Sequence, residues 1–535
     1  MGMRRGRGQV LVCQVSDVPF GQMRQFEVDG QKMLLTHTED GISAIAPHCS
    51  HYGAPLKKGV LHAGRIVCPW HNACFNAVTG AQLSPPGRDD VTQFPSTVEI
   101  QAGNVYVTLL EDPAEHILPY LTRPNPDKDS RTFVIVGAGA AGEAAAQMLR
   151  QVEFAGKIIV LSAEDKLPYD RTKLSKAYLQ SDSVDTVPAL RPASFYREYG
   201  IKIKTSARVT DLDIEAQQLT YGYGETLSYD ALLIASGGTV KTLPIEGAEL
   251  ENVFTLRNAA DAKQILATAL KAKKAVVIGS GFIGMEAAAS LRQQGLEVTV
   301  VSPSKVPFEK VLGEAVGKLF QQVHESNGVK FILQDKAAKL QGDGKVSSVV
   351  LESGENLPAD IVVVGIGVKP ATEFANGLLK DDKTGSIVVN QYLQATANVY
   401  AAGDVTQFPH FITGEPTHIE HWRLAMQQGR IAACNMMGQQ VAFKAVPFFW
   451  TGQFDLKLRY VGHSEAYEEV IIQGSLEEKS FLAFYIQEHQ AMAVSGIGRD
   501  RDIAAISELM RLRKMPTPEK IKSSDMDWAE QLASV

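Results

Sequence analysis

The stretch "RTFVIVGAGAAGEAAAQMLR", residues 131 to 150, decides how most of the chain is read. The apolar run "FVIV" suits a buried strand and the alanine-rich run after it a helix, so the glycines fall in the turn between them. Gly137 permits a tight turn, Gly139 lets the backbone approach a pyrophosphate, and Gly142 lets the helix pack closely, with the helix N-terminus facing the anion. A plain strand-to-helix turn is the alternative. Against it, the next strand, "KIIVLSAED", ends at Glu164, about 20 residues on, where a carboxylate can accept hydrogen bonds from ribose hydroxyls. The same order of strand, glycines and helix returns in "KKAVVIGSGFIGMEAAASLRQQG", residues 273 to 295, with Gly279, Gly281 and Gly284. Two such units imply two nucleotide-binding α/β domains.

The two units differ at the end of their second strands. In the later unit, "LEVTVVSPS" puts Ser302 where an acid would grip a ribose 2'-hydroxyl, which leaves NADH against NADPH open. Lys305 nearby suits a 2'-phosphate, or simply water. Further on, "VYAAGDV" places Asp404 after an apolar strand, where it can bind the polar chain of a flavin. The tail from 446 returns to strand-like alternation in "VPFFWTGQFDLKLRYVG" and ends in the helical pattern "DIAAISELMRLRK".

Upstream the pattern is different. Residues 8 to 112 hold short apolar runs separated by turn signals, "EDG" at 39 to 41 and "PPG" at 85 to 87, with β-branched alternation in "VEIQAGNVYVTLL". This predicts a small all-β domain. "PAEHILPYLTRPNPDKDSR" then carries Pro113, Pro119, Pro124 and Pro126 in a polar setting, a stiff linker.

Inside the β domain, "CSHYGAPLKKGVLHAGRIVCPWH", residues 49 to 71, sets Cys49 and His51 one residue apart and Cys68 and His71 two apart by intervening positions. Two thiolates can hold one iron and two imidazoles the other, the ligand set of a Rieske 2Fe-2S centre. Gly53, Pro55 and Pro69 supply turn chemistry around the ligands. A zinc site of two cysteines and two histidines is the rival, although zinc fingers pair Cys with Cys and His with His at wider spacing. His37, His48 and His62 fall outside the pattern, and Cys13, Cys74 and Cys434 read as buried bystanders.

Composition sets outer bounds. A chain of 535 residues holds several cores, and a net charge of -7 offers no general attraction to nucleic acid or acidic lipid. No run approaches the ~18 to 20 apolar residues that span a bilayer, and "MGMRRGRGQVLVCQV" lacks the apolar core and cleavage site of a signal peptide, so the N-terminus is expected to be retained. Five cysteines fit a reducing compartment, with the cytoplasm as default.

From 131 to about 500 the chain is similar to the FAD-dependent ferredoxin-type reductases and the apoptosis-inducing-factor group of the pyridine nucleotide oxidoreductases, through "GAGAAG", "PYDRTKLSK", "LLIASGG", "GSGFIGMEAA", "VYAAGDV", "IEHWRLAMQQG" and "FFWTGQFDLKLRYVG". With the Rieske domain in front, it resembles an apoptosis-inducing-factor-like protein. The resemblance implies that Arg171 and Lys173 line the flavin and that Lys173 pairs with Glu286 near the reactive edge of the ring. It further implies that Asp404 holds the ribityl-pyrophosphate region and that Glu420 to Trp422 border the isoalloxazine. No C-x4-C or C-x-x-C accompanies the flavin motif, so a dithiol relay is not expected. No His pair in H-x4-H spacing follows residue 130, so substrate oxygenation at a mononuclear iron is not expected either.

The expected architecture is multidomain: an all-β Rieske domain (1–112), the Pro-rich linker (113–130), a discontinuous FAD-binding domain (131–252 and 378–445), an NAD(P)H-binding domain (253–377) and an α+β C-terminal domain (446–535). The two nucleotide domains are α/β and Rossmann-like. The expected function is an NAD(P)H-dependent reductase passing electrons through FAD to the Rieske 2Fe-2S cluster of the same chain and on to a one-electron acceptor, such as a redox protein. The alternative is a redox-responsive NAD(P)H-binding signalling protein with slow turnover. Oligomeric state is left open, and neither nucleic acid nor membrane is an expected partner.

Overall fold

The computed structural model describes residues 6–94, 99–101, 103–111, 113–185, 187–523 and 526–535. Residues 1–5, together with Val98, Ala102 and Asp112 of the expected alternating run and domain edge, lie outside the described residues. The alternation in "NVYVTLL" becomes the central strand of a three-stranded antiparallel sheet, with Asn104–Leu110 between Gly6–Gln14 and Glu99–Gln101. Its inward residues Val105, Val107 and Leu109 pack in one core with Met33, Leu35 and Phe94. A second antiparallel sheet, Met23–Val28, Gln31–Thr38 and Gly41–Ile45, and a third of four short strands, Val60–His62, Arg65–Val67, Cys74–Asn76 and Gln82–Ser84, complete a small all-β domain.

The proline-rich segment after it is bonded to both domains that it joins. His116–Ile117 pairs with Asp90–Val91 of the β domain. Beyond, Leu121 is buried in the core of the next domain, and the N–H groups of Thr122 and Asn125 donate to the carbonyls of Arg150 (2.9 Å) and Ala155 (2.8 Å). Missing backbone donors at the prolines do not leave the segment free, because the residues between them carry the bonds.

Around the first glycine turn the strands run in the order Ile201–Lys204, Lys157–Leu161, Thr132–Val136, Ala231–Ile234, Val399–Ala401 and Gln394–Thr396, parallel except for the last. Gly137 takes φ +105°, and a Cβ there would lie 2.2 Å from the Ala235 carbonyl oxygen. A Cβ on Gly142 would lie 1.9 Å from the carbonyl oxygen of Gly137, so helix Ala140–Gln151 sits as close to the strand as the sequence implies. Between these strands in the chain, residues from Val253–Thr255 to Ile361–Val364 form a separate five-stranded parallel sheet around the second glycine turn.

The C-terminal domain is α+β. A five-stranded antiparallel sheet orders Phe448–Gln453, Leu456–Gly462, Gln490–Ile497, Ser480–Gln487 and Glu469–Ser475, followed by helices Asp500–Leu512, Pro518–Ser523 and Trp528–Ala533. Its core takes in Val60, Val67 and Cys74 of the β domain, which pack in one cluster with Phe448, Val461, Ile503 and Trp528. The first and last domains of the chain therefore share apolar packing. Among the described residues no helix is long and apolar enough to cross a membrane.

Candidate functional site

Both glycine turns open on one cavity of about 1160 Å³. Gly137 and Gly139 of the first turn and Gly281 of the second line it, with Glu164, Arg171, Glu286, Asp404, Glu420 and Trp422. Gly142, Gly279 and Gly284 stand behind the lining; a Cβ on Gly284 would lie 2.2 Å from the Gly279 carbonyl oxygen. At Gly139 and Gly281, by contrast, a Cβ would meet nothing within 4 Å, so at both turns the bare backbone faces open space, as close approach of a pyrophosphate needs. The buried Nδ1 of His421, also in the lining, has no partner among the described residues. The residues present fit two dinucleotides meeting in one space.

The carboxylates are held by basic neighbours. Arg171 bonds one oxygen of Glu164 while the Tyr169 hydroxyl donates to the other (2.6 Å), and Arg257 pairs with Asp404 at 2.9 Å. Burial, and then the nearby Asp404, raise the Glu420 carboxyl above its ordinary range. Sequence reasoning misses Arg257, because an isolated arginine carries no signal.

Two expectations need correction. The lysine paired with Glu286 is Lys176, at 2.7 Å, and not Lys173. Glu286, 4% exposed, also accepts from Ser175 and from Thr451 (2.7 Å), whereas the Lys173 ammonium lies over the Tyr52 ring, 5.2 Å from its centroid. Lys176, not Lys173, lines the cavity. Ser302 is the second correction. It is buried at 2% exposure, with its hydroxyl 2.7 Å from that of Ser280 and absent from the cavity lining, so it does not offer itself to a ribose.

In the β domain the four expected ligands converge as two pairs. The thiols of Cys49 and Cys68 share a hydrogen bond, and the Nδ1 atoms of His51 and His71 stand 3.1 Å apart. Two thiols on one side and two imidazoles on the other are the ligand set that holds two irons, one through sulfur and one through nitrogen. Backbone N–H groups of His51 and Tyr52 point at the Cys49 sulfur, and those of Trp70 and His71 at the Cys68 sulfur. Such donors favour thiolate, and the Cys68 thiol is lowered, but at Cys49 the hydrogen bond with Cys68 and then burial outweigh them and raise that thiol well above its ordinary value. Burial lowers the His51 imidazole to about 4 and that of His71 to about 2, keeping both neutral, as metal ligands must be. The donor set fits a 2Fe-2S cluster. All five cysteines are free, and none lines the large cavity.

The cavity and the ligand pair are neighbours. Trp450, on the first strand of the C-terminal sheet, lines the cavity, and its ring centroid is 4.3 Å from that of His71 and 5.8 Å from that of His51. On the other side, the Tyr52 ring stacks on His51 at 3.7 Å, and its hydroxyl donates to Asp170 at 2.6 Å. Asp170 caps the turn that carries Arg171. Trp450 stands inside a quoted motif, but nothing in the sequence places it against a histidine 379 positions earlier.

The chain resembles known proteins along most of its length. Residues 131–429 match the model of the pyridine nucleotide-disulphide oxidoreductase family, 8–95 that of the Rieske 2Fe-2S domain, and 448–532 that of the reductase C-terminal domain. The chain is 39% identical to Apoptosis-inducing factor 3 of Homo sapiens over 97% of its own length and 88% of that protein's. It is 33% identical to Rhodocoxin reductase of Rhodococcus erythropolis over 74% of this chain and 93% of that protein. Among solved structures, the ferredoxin reductase for the CYP199A2 system from Rhodopseudomonas palustris superposes with a TM-score of 0.71 at 32% identity, covering 75% of this chain and 99% of that one. The chain belongs to the pyridine nucleotide-disulphide oxidoreductase family, as an NAD(P)H-dependent FAD oxidoreductase of the ferredoxin reductase type that carries a Rieske 2Fe-2S cluster in its N-terminal domain.

Proposed function

We propose that the chain is a complete electron-transfer unit, taking electrons from NAD(P)H at the large cavity and delivering them singly to the Rieske cluster of the same molecule, from which they pass to a one-electron acceptor. The observation that carries this reading is Trp450, which borders the cavity with one part of its surroundings and touches His71 with another. Bound FAD supplies the conversion of a two-electron hydride into single electrons.

The chain's own residues do the rest. Gly139 and Gly281 admit the pyrophosphates, and Glu164 with Asp404 offers acceptors to the sugar hydroxyls of one dinucleotide. Lys176 presents a cation to the cavity, where it stabilises negative charge gained on reduction, and Glu286 holds it there through the 2.7 Å pair. Lys176 and Glu286 thus take the roles first expected of Lys173 and Glu286. Phe449 and Trp422 keep that wall of the cavity aromatic and exclude water. The free cysteines fit a reducing compartment, and the cytoplasm is the location we propose.

Anaerobic addition of NADH or NADPH to the holoprotein, followed by electron paramagnetic resonance, tests the reading. The expected result is the signal of a reduced Rieske cluster without any added carrier. A cluster that stays oxidised beside bleached flavin absorbance would contradict it and favour the slow redox-responsive alternative.

A further inference from the structure

The histidine edge of the cluster site has a second side. A separate pocket of about 510 Å³ opens beside His71, walled by Tyr52 and Trp70 and ringed by Lys457, Arg459 and Lys479. Resting on the electron path proposed above, we propose that this pocket binds the acceptor, and that the acceptor is a small, planar, anionic aromatic oxidant of the quinone type.

Access comes first. His51 and His71 are screened by Trp450 toward the cavity and by the stacked Tyr52 ring, which its bond to Asp170 holds in place. The pocket leaves His71 partly uncovered, so a small molecule in it lies against that imidazole directly. The volume falls within the range of roughly 300 to 1,000 Å³ that small-molecule sites occupy. The rings of Trp70, Tyr52 and His71 offer flat surfaces on which an aromatic ligand stacks.

Charge decides the sign of the ligand. Two of the three cations are engaged: Arg459 pairs with Asp500 at 3.1 Å and Lys479 with Asp455. Lys457 is exposed and has no ion pair among the described residues, so three cations face two carboxylates and one positive charge is left over. Arg459 also donates to the Trp70 carbonyl at 3.2 Å, tying the cationic rim to the loop that carries His71.

The chemistry balances without making or breaking a bond at the pocket. One electron leaves the reduced cluster and enters the acceptor, which gains one negative charge. Each hydride taken from NAD(P)H supplies two such electrons and leaves one proton for solvent, so two acceptor equivalents are reduced per NAD(P)H.

The test uses the oxidised holoprotein and 2,6-dichlorophenolindophenol, an anionic aromatic dye at neutral pH, as probe. Calorimetry is expected to give saturable binding that Lys457→Glu weakens by about tenfold or more and that Lys457→Arg retains, with the neutral 2,6-dimethyl-1,4-benzoquinone binding less tightly than the dye. The dye's KM in NAD(P)H-driven turnover is expected to rise in step with its Kd. Absence of saturable binding, or equal affinity in Lys457→Glu, would overturn the proposal even with a cluster that NAD(P)H reduces normally; reoxidation by a purified redox protein alone would do the same. A cluster that NAD(P)H fails to reduce, beside dye binding that still depends on Lys457, would refute the electron path and retain the pocket as a binding site.

Discussion

Two of the contacts by which the Rieske domain meets the rest of the chain are of opposite character. One is a closed seam in which Val60, Val67 and Cys74 pack with the C-terminal core and Arg423, 4% exposed, reaches across to the carbonyls of Pro85 (2.9 Å) and Asn72 (2.9 Å) and to Ser84 Oγ (3.2 Å). The other is small, aromatic and partly open: Trp450 against His71, and Tyr52 between His51 and Asp170. The first satisfies buried groups and fixes the domain. The second leaves Tyr52 39% exposed and, through Trp450, lies between the large cavity and the histidine pair. Stability and electron transfer are therefore separable at this interface by mutation.

The largest expected effect on stability is at the seam. Arg423 remains cationic even though burial lowers it to about 10, and all three of these partners are neutral oxygens. Arg423→Ala strands the two carbonyls, while Ser84 Oγ keeps its bond from Gln427 (3.0 Å), and a loss of about 3 kcal/mol is expected from the two unpaired buried acceptors, measured by denaturant unfolding. Faster proteolysis between 113 and 130 is expected alongside it. An unchanged midpoint would mean that the apolar packing alone holds the domain.

Lys176→Ala comes next. Glu286 keeps its bonds from Ser175 and Thr451 but loses its cation, so a cost of about 2 kcal/mol is expected, together with slower flavin reduction in stopped-flow. Lys173→Ala is the control that sharpens the comparison: its ring contact with Tyr52 is worth about 1 kcal/mol or less, and flavin reduction is expected to be unaffected. Equal kinetic defects in both variants would return Lys173 to the flavin site.

Trp450→Leu is expected to lose about 1 to 2 kcal/mol, being half-buried, and to slow cluster reduction far more than flavin reduction. Tyr52→Phe is expected to have a smaller effect than Trp450→Leu: the lost 2.6 Å hydrogen bond to Asp170 is worth about 1 kcal/mol and cofactor binding is retained. If Tyr52→Phe slowed cluster reduction as much as Trp450→Leu, the tyrosine and not the tryptophan would set the geometry of transfer.

Legibility in the sequence depends on the kind of constraint. Gly137 and Gly142 are readable because only glycine fits where a Cβ would meet a carbonyl oxygen within about 2 Å, and Cys49, His51, Cys68 and His71 because ligand spacing is local. The lysine partner of Glu286 is not readable, for a backbone reason. Arg171–Lys173 is a tight 3-10 turn and Leu174–Tyr178 a π turn, with Lys176 at φ -118° and ψ -106°, so no regular period reveals which side chain faces Glu286. Ser302 does end its strand, but its burial depends on Ser280, a partner 22 positions earlier. The contacts of Arg423 and Trp450 join residues hundreds of positions apart, and no short-range pattern encodes them.

The most direct measurement of electron transfer within one chain is the rate of cluster reduction over a tenfold dilution series of anaerobic holoprotein mixed with NADH or NADPH. With the Rieske domain held at the seam and His71 against Trp450, the rate constant for cluster bleaching is predicted to be independent of protein concentration. A rate constant that rises in proportion to protein concentration would mean that electrons cross between molecules, and would contradict the account.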